Sequence, residues 1–127
     1  MDAAALQATL ERIAADYVKR LQLRVETVAP GEVTLAMPVL PELIHGGGVL
    51  CGQAIMAAAD TAMLLAMIAQ LGEFRPMTTV QLQTSFLRPV PKDSSDVTVN
   101  ARVLRSGKSL SYGEIEFKIS GERLVAH

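Results

Sequence analysis

The sequence predicts an α+β fold in which one curved antiparallel sheet wraps around a long apolar helix. The first observation is the run from residue 53 to residue 71, which is apolar almost throughout and carries one acidic residue, Asp60. The second is that most other segments alternate apolar and polar residues with the period of two that half-buried strands show. A sheet that curls around the apolar run would bury that helix on most sides.

Composition limits the class of protein. The chain has 127 residues, of which 50% are hydrophobic and 20% charged, so we expect one folded domain over residues 1–127. The formal net charge is -1 and no cluster of lysine and arginine stands out, which argues against nucleic acid as a partner. One cysteine cannot build a disulfide framework, so we expect a cytoplasmic protein.

We expect neither a secretory signal nor a membrane span. The first residues lack the basic stretch of a signal peptide, and the segment that follows them is amphipathic. The apolar stretch 54–69 is interrupted by Asp60 and Thr61 and is shorter than the ~20 residues that cross a bilayer. A central helix buried on all sides explains the same run.

The first third of the chain predicts a helix and then a hairpin. Residues 4–21 place apolar side chains at helical spacing, which indicates an amphipathic surface helix with charged residues on its other face. Residues 23–28 and 33–37 alternate as strands do, and the Pro30-Gly31 pair between them suits a turn.

The long apolar helix is expected to end at Gly72, and nearly all of the remaining chain is expected to be strand. Exposed edges of the resulting sheet invite pairing between copies, so we expect a homodimer or homotetramer. The strands are predicted at residues 78–87, 97–103, 110–119 and 123–126.

A glycine-rich loop, His45-Gly46-Gly47-Gly48, leads into the long helix. Glycines near a helix start let the backbone approach a ligand closely, and the first N–H groups of the helix are free to bind it. A carboxylate inside an apolar helix is costly unless it is paired or used. The pattern therefore indicates an oxyanion-binding helix start, with Asp60 as an acid or base about two turns further on.

Four segments occur in an order and at a spacing that resemble a known family. They are Gly48-Val49-Leu50-Cys51-Gly52-Gln53-Ala54, Ala59-Asp60-Thr61-Ala62, Thr78-Thr79-Val80-Gln81-Leu82-Gln83-Thr84-Ser85-Phe86-Leu87-Arg88-Pro89 and Arg105-Ser106-Gly107-Lys108-Ser109-Leu110. The chain resembles the hotdog-fold acyl-CoA thioesterases of the phenylacetate-pathway and 4-hydroxybenzoyl-CoA type, from about residue 33 to residue 126. The resemblance implies the hotdog fold, an oligomer and an acyl-CoA substrate.

Spacing decides how the family motif aligns. Asp60 lies nine positions after Cys51, which is the spacing the family keeps between its motif histidine and its acid. Cys51-Gly52-Gln53 therefore occupies the place of the usual His-Gly-Gly. His45 falls six positions earlier, where the family often carries an asparagine or glutamine.

The resemblance implies a role for each aligned residue. The Gly52 N–H would polarise the thioester carbonyl, and Asp60 would act as general base or nucleophile. His45 or Gln53 would position substrate or water, and Thr79 would lie near the catalytic water. Each has a structural alternative: a tight-turn glycine, an interface aspartate, a locally hydrogen-bonded loop histidine and an ordinary strand threonine.

Four further residues are candidates for substrate binding. A thiol at a helix start such as that of Cys51 can become a nucleophile, but small buried cysteines usually only pack. Arg88, Arg105 and Lys108 could hold the phosphates of CoA, or they could be solvated turn cations. No ligand cluster for a metal and no dinucleotide fingerprint is present in the sequence, so no cofactor is implied.

The sequence thus leads to a cytoplasmic, homo-oligomeric hotdog thioesterase that hydrolyses an acyl- or aryl-CoA thioester to the free acid and CoA. Two alternatives stay open at this point. The departure at Cys51-Gly52-Gln53 is compatible with a non-catalytic acyl-CoA binding module. A pair formed by His45 and Asp60 would suit an enoyl-CoA hydratase or dehydratase.

Overall fold

Five strands form one antiparallel sheet in chain order, with each strand hydrogen-bonded to the next one in sequence. The structure is a computed structural model that describes residues 1–127. Its helices and strands are α1 (Ala3–Ile13), α2 (Asp16–Lys19), β1 (Arg24–Ala29), β2 (Glu32–Met37), a 3-10 turn (Pro41–Leu43), α3 (Gly52–Leu71), β3 (Val97–Ser106), β4 (Ser111–Ile119) and β5 (Arg123–Ala126). The predicted α+β class, with a curved sheet around a long helix and a helix at the N-terminus, is confirmed.

A row of alanines places α3 close to the sheet. Ala54, Ala58, Ala62 and Ala66 follow one another at intervals of four residues and are all fully buried. Residues four apart lie on one face of a helix, so this row forms a smooth, narrow stripe. The inward residues of the sheet meet that stripe in one core; among them are Val33, Leu35, Val97, Val99 and Ala101.

The prediction that α3 is buried on all sides is wrong. Gln53, Met56 and Asp60 lie on a stripe of the helix that faces solvent. By length and hydropathy Gly52–Leu71 could cross a membrane, but 50% of it is buried inside the protein, as in the core helix of a globular domain. The sheet therefore covers one side of the helix and leaves the other side open.

The N-terminal helix is shorter than the sequence predicts. Asp2 caps α1, because its carboxylate accepts a hydrogen bond from the Ala5 N–H at 2.8 Å. The helix ends at Ile13, where Ala14 and Ala15 adopt extended backbone angles before the single turn of α2. The expected helix over 4–21 is therefore two helices.

The largest departure concerns the strand predicted at residues 78–87. This segment is extended, but only its end is paired: Ser85 and His127 exchange backbone hydrogen bonds of 2.7 and 3.0 Å, and Leu87 donates to Val125 at 2.8 Å. Residues 73–84 make no backbone–backbone hydrogen bond. A strand requires a neighbour, and the chain supplies none here, so the alternation at 78–87 describes an unpaired edge.

The other predicted strands are confirmed, with shifted ends. The alternation of Val97, Val99 and Ala101 places these three side chains in the core. The helix ends as predicted at Gly72, whose φ of 80° is the left-handed value that glycine adopts at helix ends.

Gly113 on β4 is required by the packing of α3. A Cβ at this position would lie 2.5 Å from the Arg102 carbonyl oxygen on the neighbouring strand and would overlap the Met63 side chain of α3. We expect Gly113→Ala to lower the free energy of unfolding by about 1–3 kcal/mol, since the strand or the helix must shift. Thermal or urea unfolding measures the change.

Gly46→Ala is the matched control, because a Cβ there would meet nothing within 4 Å. Equal stability of the two variants would show that the contact between Met63 and Gly113 is not tight.

Candidate active site

The start of α3 is held by hydrogen bonds to two separate loops. The Cys51 N–H donates to the Leu43 carbonyl at 2.9 Å, and the Leu50 N–H donates to the Val90 carbonyl at 2.9 Å. The two loops therefore fix the direction in which the first residues of the helix point. No signal in the sequence predicts these contacts, because both partners lie in irregular segments.

The first N–H groups of α3 are free. Cys51 is the N-cap, and its side chain makes no capping hydrogen bond. The backbone N–H groups of Gly52 and Gln53 find no acceptor within the chain. These donors and the positive end of the helix dipole face outward together, so the site can stabilise a developing negative charge.

The Phe86 ring lies directly on Gly52. A Cβ on Gly52 would be 3.3 Å from two atoms of that ring. The backbone of residues 85–87 is fixed to the end of β5, whereas the Phe86 residue is 52% exposed. An aromatic side chain on a fixed backbone thus shields one side of the free N–H groups. The alternating pattern of residues 78–87 marks Phe86 only as a strand residue and carries no signal for its contact with Gly52.

A pocket of about 300 Å³ opens beside the helix start. It brings together His45, Gly52, Phe86 and Arg88, which we call the helix-start half-site. Gln53 is exposed next to it on the first turn of the helix. Cys51 is half-buried and packs against the hydrophobic core.

His45 is bonded within its own loop. Its Nδ1 accepts the Gly47 N–H at 2.8 Å, and its carbonyl accepts the Gly48 N–H at 2.9 Å. The loop histidine is therefore locally hydrogen-bonded, with its ring at the pocket. Nε2 is the ring nitrogen that remains to meet a substrate or a water molecule.

Asp60 and Thr79 form a second cluster, which we call the carboxylate half-site. The Thr79 hydroxyl donates a hydrogen bond to Oδ1 of Asp60. Asp60 is exposed rather than buried in the apolar helix, which corrects the expectation from the sequence. The apolar pattern around Asp60 misled that expectation, since only one side of α3 is covered.

The two half-sites do not meet within one chain. Asp60 lies eight positions after Gly52 on one helix, which corresponds to about 12 Å at 1.5 Å per residue. Asp60 bonds to Thr79, and Nδ1 of His45 bonds to Gly47. Within one chain, His45 and Asp60 therefore make no hydrogen bond to each other.

The three candidate phosphate contacts lie in two places. Arg88 lines the pocket of the helix-start half-site and donates to the Leu124 carbonyl at 2.7 Å, which fixes its guanidinium at the rim. Arg105 and Lys108 are exposed near the turn between β3 and β4. That turn lies beyond the C-terminal end of α3, since Gly31 is close to both Val103 and Gln70, so it is far from Gly52 in the same chain.

Ion pairs on the solvent face of the sheet shift the pKa values of their members. Hydrogen bonds from Arg102 and then from His127 lower the pKa of Glu114 below its usual value. This ion cluster joins β3, β4 and the end of the chain, and it lies outside both half-sites. No group of three His, Cys, Asp or Glu residues is arranged to hold a metal ion.

A curved antiparallel sheet around one long central helix is the hotdog fold. The model of the thioesterase superfamily matches residues 47–126, which is more than half of the chain. The chain belongs to the thioesterase superfamily. The hotdog-fold thioesterase resemblance seen in the sequence is thereby confirmed.

Individual relatives agree with this assignment. The provisionally named esterase TV1331 of Thermoplasma volcanium is 31% identical over 110 residues, which cover 87% of this chain and 80% of that protein. The structure of the conserved protein PA5202 from Pseudomonas aeruginosa has a TM-score of 0.82 and 28% identity, covering 91% of this chain and 90% of that one. The PaaI protein of E. coli, from the phenylacetic acid degradation operon, has a TM-score of 0.84. Its identity is 22%, with 98% and 86% of the two chains covered, and this likeness shows the fold alone.

Gly52 is the first residue of α3, a position at which proline is well tolerated. Cys51 already has the extended angles that a residue before proline needs, with ψ at 148°. We therefore expect Gly52→Pro to keep the helical circular dichroism signal and to melt within a few degrees of the parent, because the half-exposed Phe86 ring can turn aside.

Ala57→Pro is the contrasting variant, since it places the same residue in the helix interior. It should cost about 3 kcal/mol or more. If Gly52→Pro proves equally damaging, the helix start is less free than its hydrogen bonds indicate.

Proposed function

We propose that this protein is a cytoplasmic, homo-oligomeric thioesterase that hydrolyses an acyl- or aryl-CoA thioester to the free acid and CoA. The observation that carries the proposal is the arrangement on α3. Its first N–H groups have no acceptor in the chain, and Asp60 stands on the exposed stripe with Thr79 bonded to it. Oxyanion donors and a carboxylate are the two groups that acyl transfer to water needs.

The chemistry assigns one task to each group. The Gly52 N–H donates to the thioester carbonyl oxygen and stabilises the negative charge that develops there, with help from the helix dipole. Asp60 accepts a proton from a water molecule that attacks the carbonyl carbon, or attacks that carbon itself. The carbon–sulfur bond then breaks, the CoA sulfur takes up a proton, and water supplies the oxygen of the released acid.

Two chains are needed to complete one site. A carboxylate must lie within about 3 Å of its water or carbon, whereas Asp60 lies about 12 Å along the helix from its own Gly52. We infer that Gly52 of one subunit and Asp60 of another act on the same thioester. The unpaired edge at residues 73–84, with Val80 80% exposed, supports pairing between copies.

The remaining residues are assigned to substrate placement. His45 presents its ring at the pocket beside Gly52, and Gln53 is exposed one position further on, so either can orient the thioester or a water. Arg88 lies at the rim of the same pocket and suits a phosphate of CoA. Arg105 and Lys108 are too far from Gly52 of their own chain and would serve a neighbouring subunit.

The relatives support a thioester as the reacting bond and leave the acyl group open. The E. coli PaaI protein comes from the phenylacetic acid degradation operon, which makes an aryl thioester one candidate. A binding module without turnover would use the same pocket, and the variants below separate it from an enzyme.

Asp60→Asn should reduce kcat by about 10²–10⁴-fold with little effect on KM, because the amide cannot accept the proton of water or attack the thioester. Release of free CoA thiol from an acyl-CoA panel measures the rate. Asp93→Asn, which changes an exposed aspartate in a loop, is the matched control. Full activity in Asp60→Asn would remove Asp60 from the mechanism.

Gly52→Pro should lower kcat by about 10²–10³-fold relative to Gly52→Ala, because proline removes the N–H that binds the oxyanion. Both variants place a Cβ against Phe86, so their difference reports the replacement of the N–H by the proline ring. Similar kcat values for the two variants would assign the oxyanion to another donor.

Mixing the two inactive variants tests the shared site. When Asp60→Asn and Gly52→Pro subunits are unfolded together and refolded in equal amounts, mixed dimers contain one site with both groups intact. The activity should recover to about a quarter of the parent value, since half of the dimers are mixed and each has one working site. Activity that stays at the level of the separate variants would place both groups in one chain.

A further inference from the structure

The structure has a second pocket, and it lies beside the proposed acid. Its volume is about 500 Å³. Its lining residues come from the end of α1, the middle of α3 and the segment after α3: Ile13, Leu64, Phe74, Pro76, Met77 and Thr78. Neither Gly52 nor any other residue of the helix-start half-site takes part in it.

The positions of two lining residues place this pocket near Asp60. Leu64 lies four residues after Asp60, so its side chain is one turn further along the same face of α3. Thr78 precedes Thr79, whose hydroxyl is bonded to the Asp60 carboxylate. The pocket therefore adjoins the carboxylate half-site through Leu64 and Thr78.

The two pockets differ in charge. The pocket beside Gly52 includes the Arg88 guanidinium and the His45 ring. The pocket beside Asp60 has no ionisable side chain among its six lining residues, and Thr78 supplies its one polar side chain. An anionic ligand group fits the first pocket, and an apolar group fits the second, where a carboxylate would lose water without gaining a partner.

We propose that the pocket lined by Leu64, Phe74 and Met77 binds the acyl group of the thioester and that it selects uncharged, apolar acyl chains. This inference rests on the proposed thioesterase function. The CoA part of the substrate then lies with Gly52 and Arg88 of one subunit, and the acyl part lies in the pocket of the subunit that provides Asp60. Half-exposed apolar side chains gain contact when an acyl chain covers them.

A matched pair of substrates tests the selection against charge. Butyryl-CoA and succinyl-CoA have acyl groups of equal carbon number and differ in whether the end is a methyl or a carboxylate. We expect kcat/KM to be about 100-fold higher for butyryl-CoA than for succinyl-CoA. We also expect it to be about tenfold higher for octanoyl-CoA than for acetyl-CoA. A succinyl group that reacts as fast as butyryl would overturn the inference.

Filling the pocket tests its location. Leu64→Trp should lower kcat/KM for octanoyl-CoA by about tenfold while that for acetyl-CoA stays within about twofold, because only the longer chain needs the space. Leu110→Trp, at a residue that is 59% exposed, is the control for the same substitution outside both pockets. Met77→Trp repeats the test from the segment after α3, in case the helix variant does not fold.

The outcomes separate this inference from the proposed function. If the protein hydrolyses none of the thioesters, both the proposed thioesterase function and the acyl pocket are rejected. If the ratio of kcat/KM for octanoyl-CoA to that for acetyl-CoA is unchanged in Leu64→Trp and Met77→Trp, this pocket does not bind the acyl group. The proposed thioesterase function would then remain valid. A ratio that falls in both variants and not in the Leu110 control would support the assignment.

Discussion

Close packing of α3 against the sheet is the constraint on which the rest of the structure depends. The buried row from Ala54 to Ala66 allows the helix axis to approach the strands. On the sheet, Ala101 is small and buried, and Gly113 leaves room for Met63 of the helix. Any larger residue in the row would force helix and sheet apart at a cost of about 1–3 kcal/mol. Because the helix is fixed in this way, the free N–H groups at its start and the carboxylate two turns later keep constant positions.

The same packing leaves one face of α3 uncovered. The sheet covers the alanine stripe of α3, while the stripe with Met56 and Asp60 is open to solvent. The extended segment after α3 crosses this open side with residues 73–84 unpaired. An uncovered helix face and an unpaired edge on one surface are features that a second copy of the chain would satisfy together.

Regular periodicity made much of the fold predictable from the sequence. The alternation of Val97, Val99 and Ala101 identified inward positions, and Gly72 marked the end of the long helix correctly. The errors have a common physical origin: alternation and apolarity report what a segment can bury and do not report what covers it. Residues 78–87 alternate as a strand does, but most of them have no neighbouring strand to pair with. Asp60 lies on a helix that the sheet covers on one side only.

The sequence led to candidate site residues and did not indicate their arrangement. The family resemblance, aligned by the nine-residue spacing between Cys51 and Asp60, led to Gly52 and Asp60 as candidates. The contact between Phe86 and Gly52 joins residues that are far apart in sequence, and it depends on how β5 fixes residues 85–87. The pocket lined by Leu64 and Met77 likewise forms between elements whose mutual position no local pattern specifies.

The missing side-chain cap at the start of α3 lowers the stability of the helix and leaves its first N–H groups available. A serine, threonine or aspartate at position 51 would stabilise a helix by about 1 kcal/mol through a side-chain oxygen that accepts a first-turn N–H. That oxygen would also compete with an incoming ligand for the same donors. Cysteine is a weak acceptor that packs well when half-buried, so Cys51 provides an apolar filler without occupying the donors. The start of α3 is thus a less stable helix end whose first N–H groups have no acceptor within the chain.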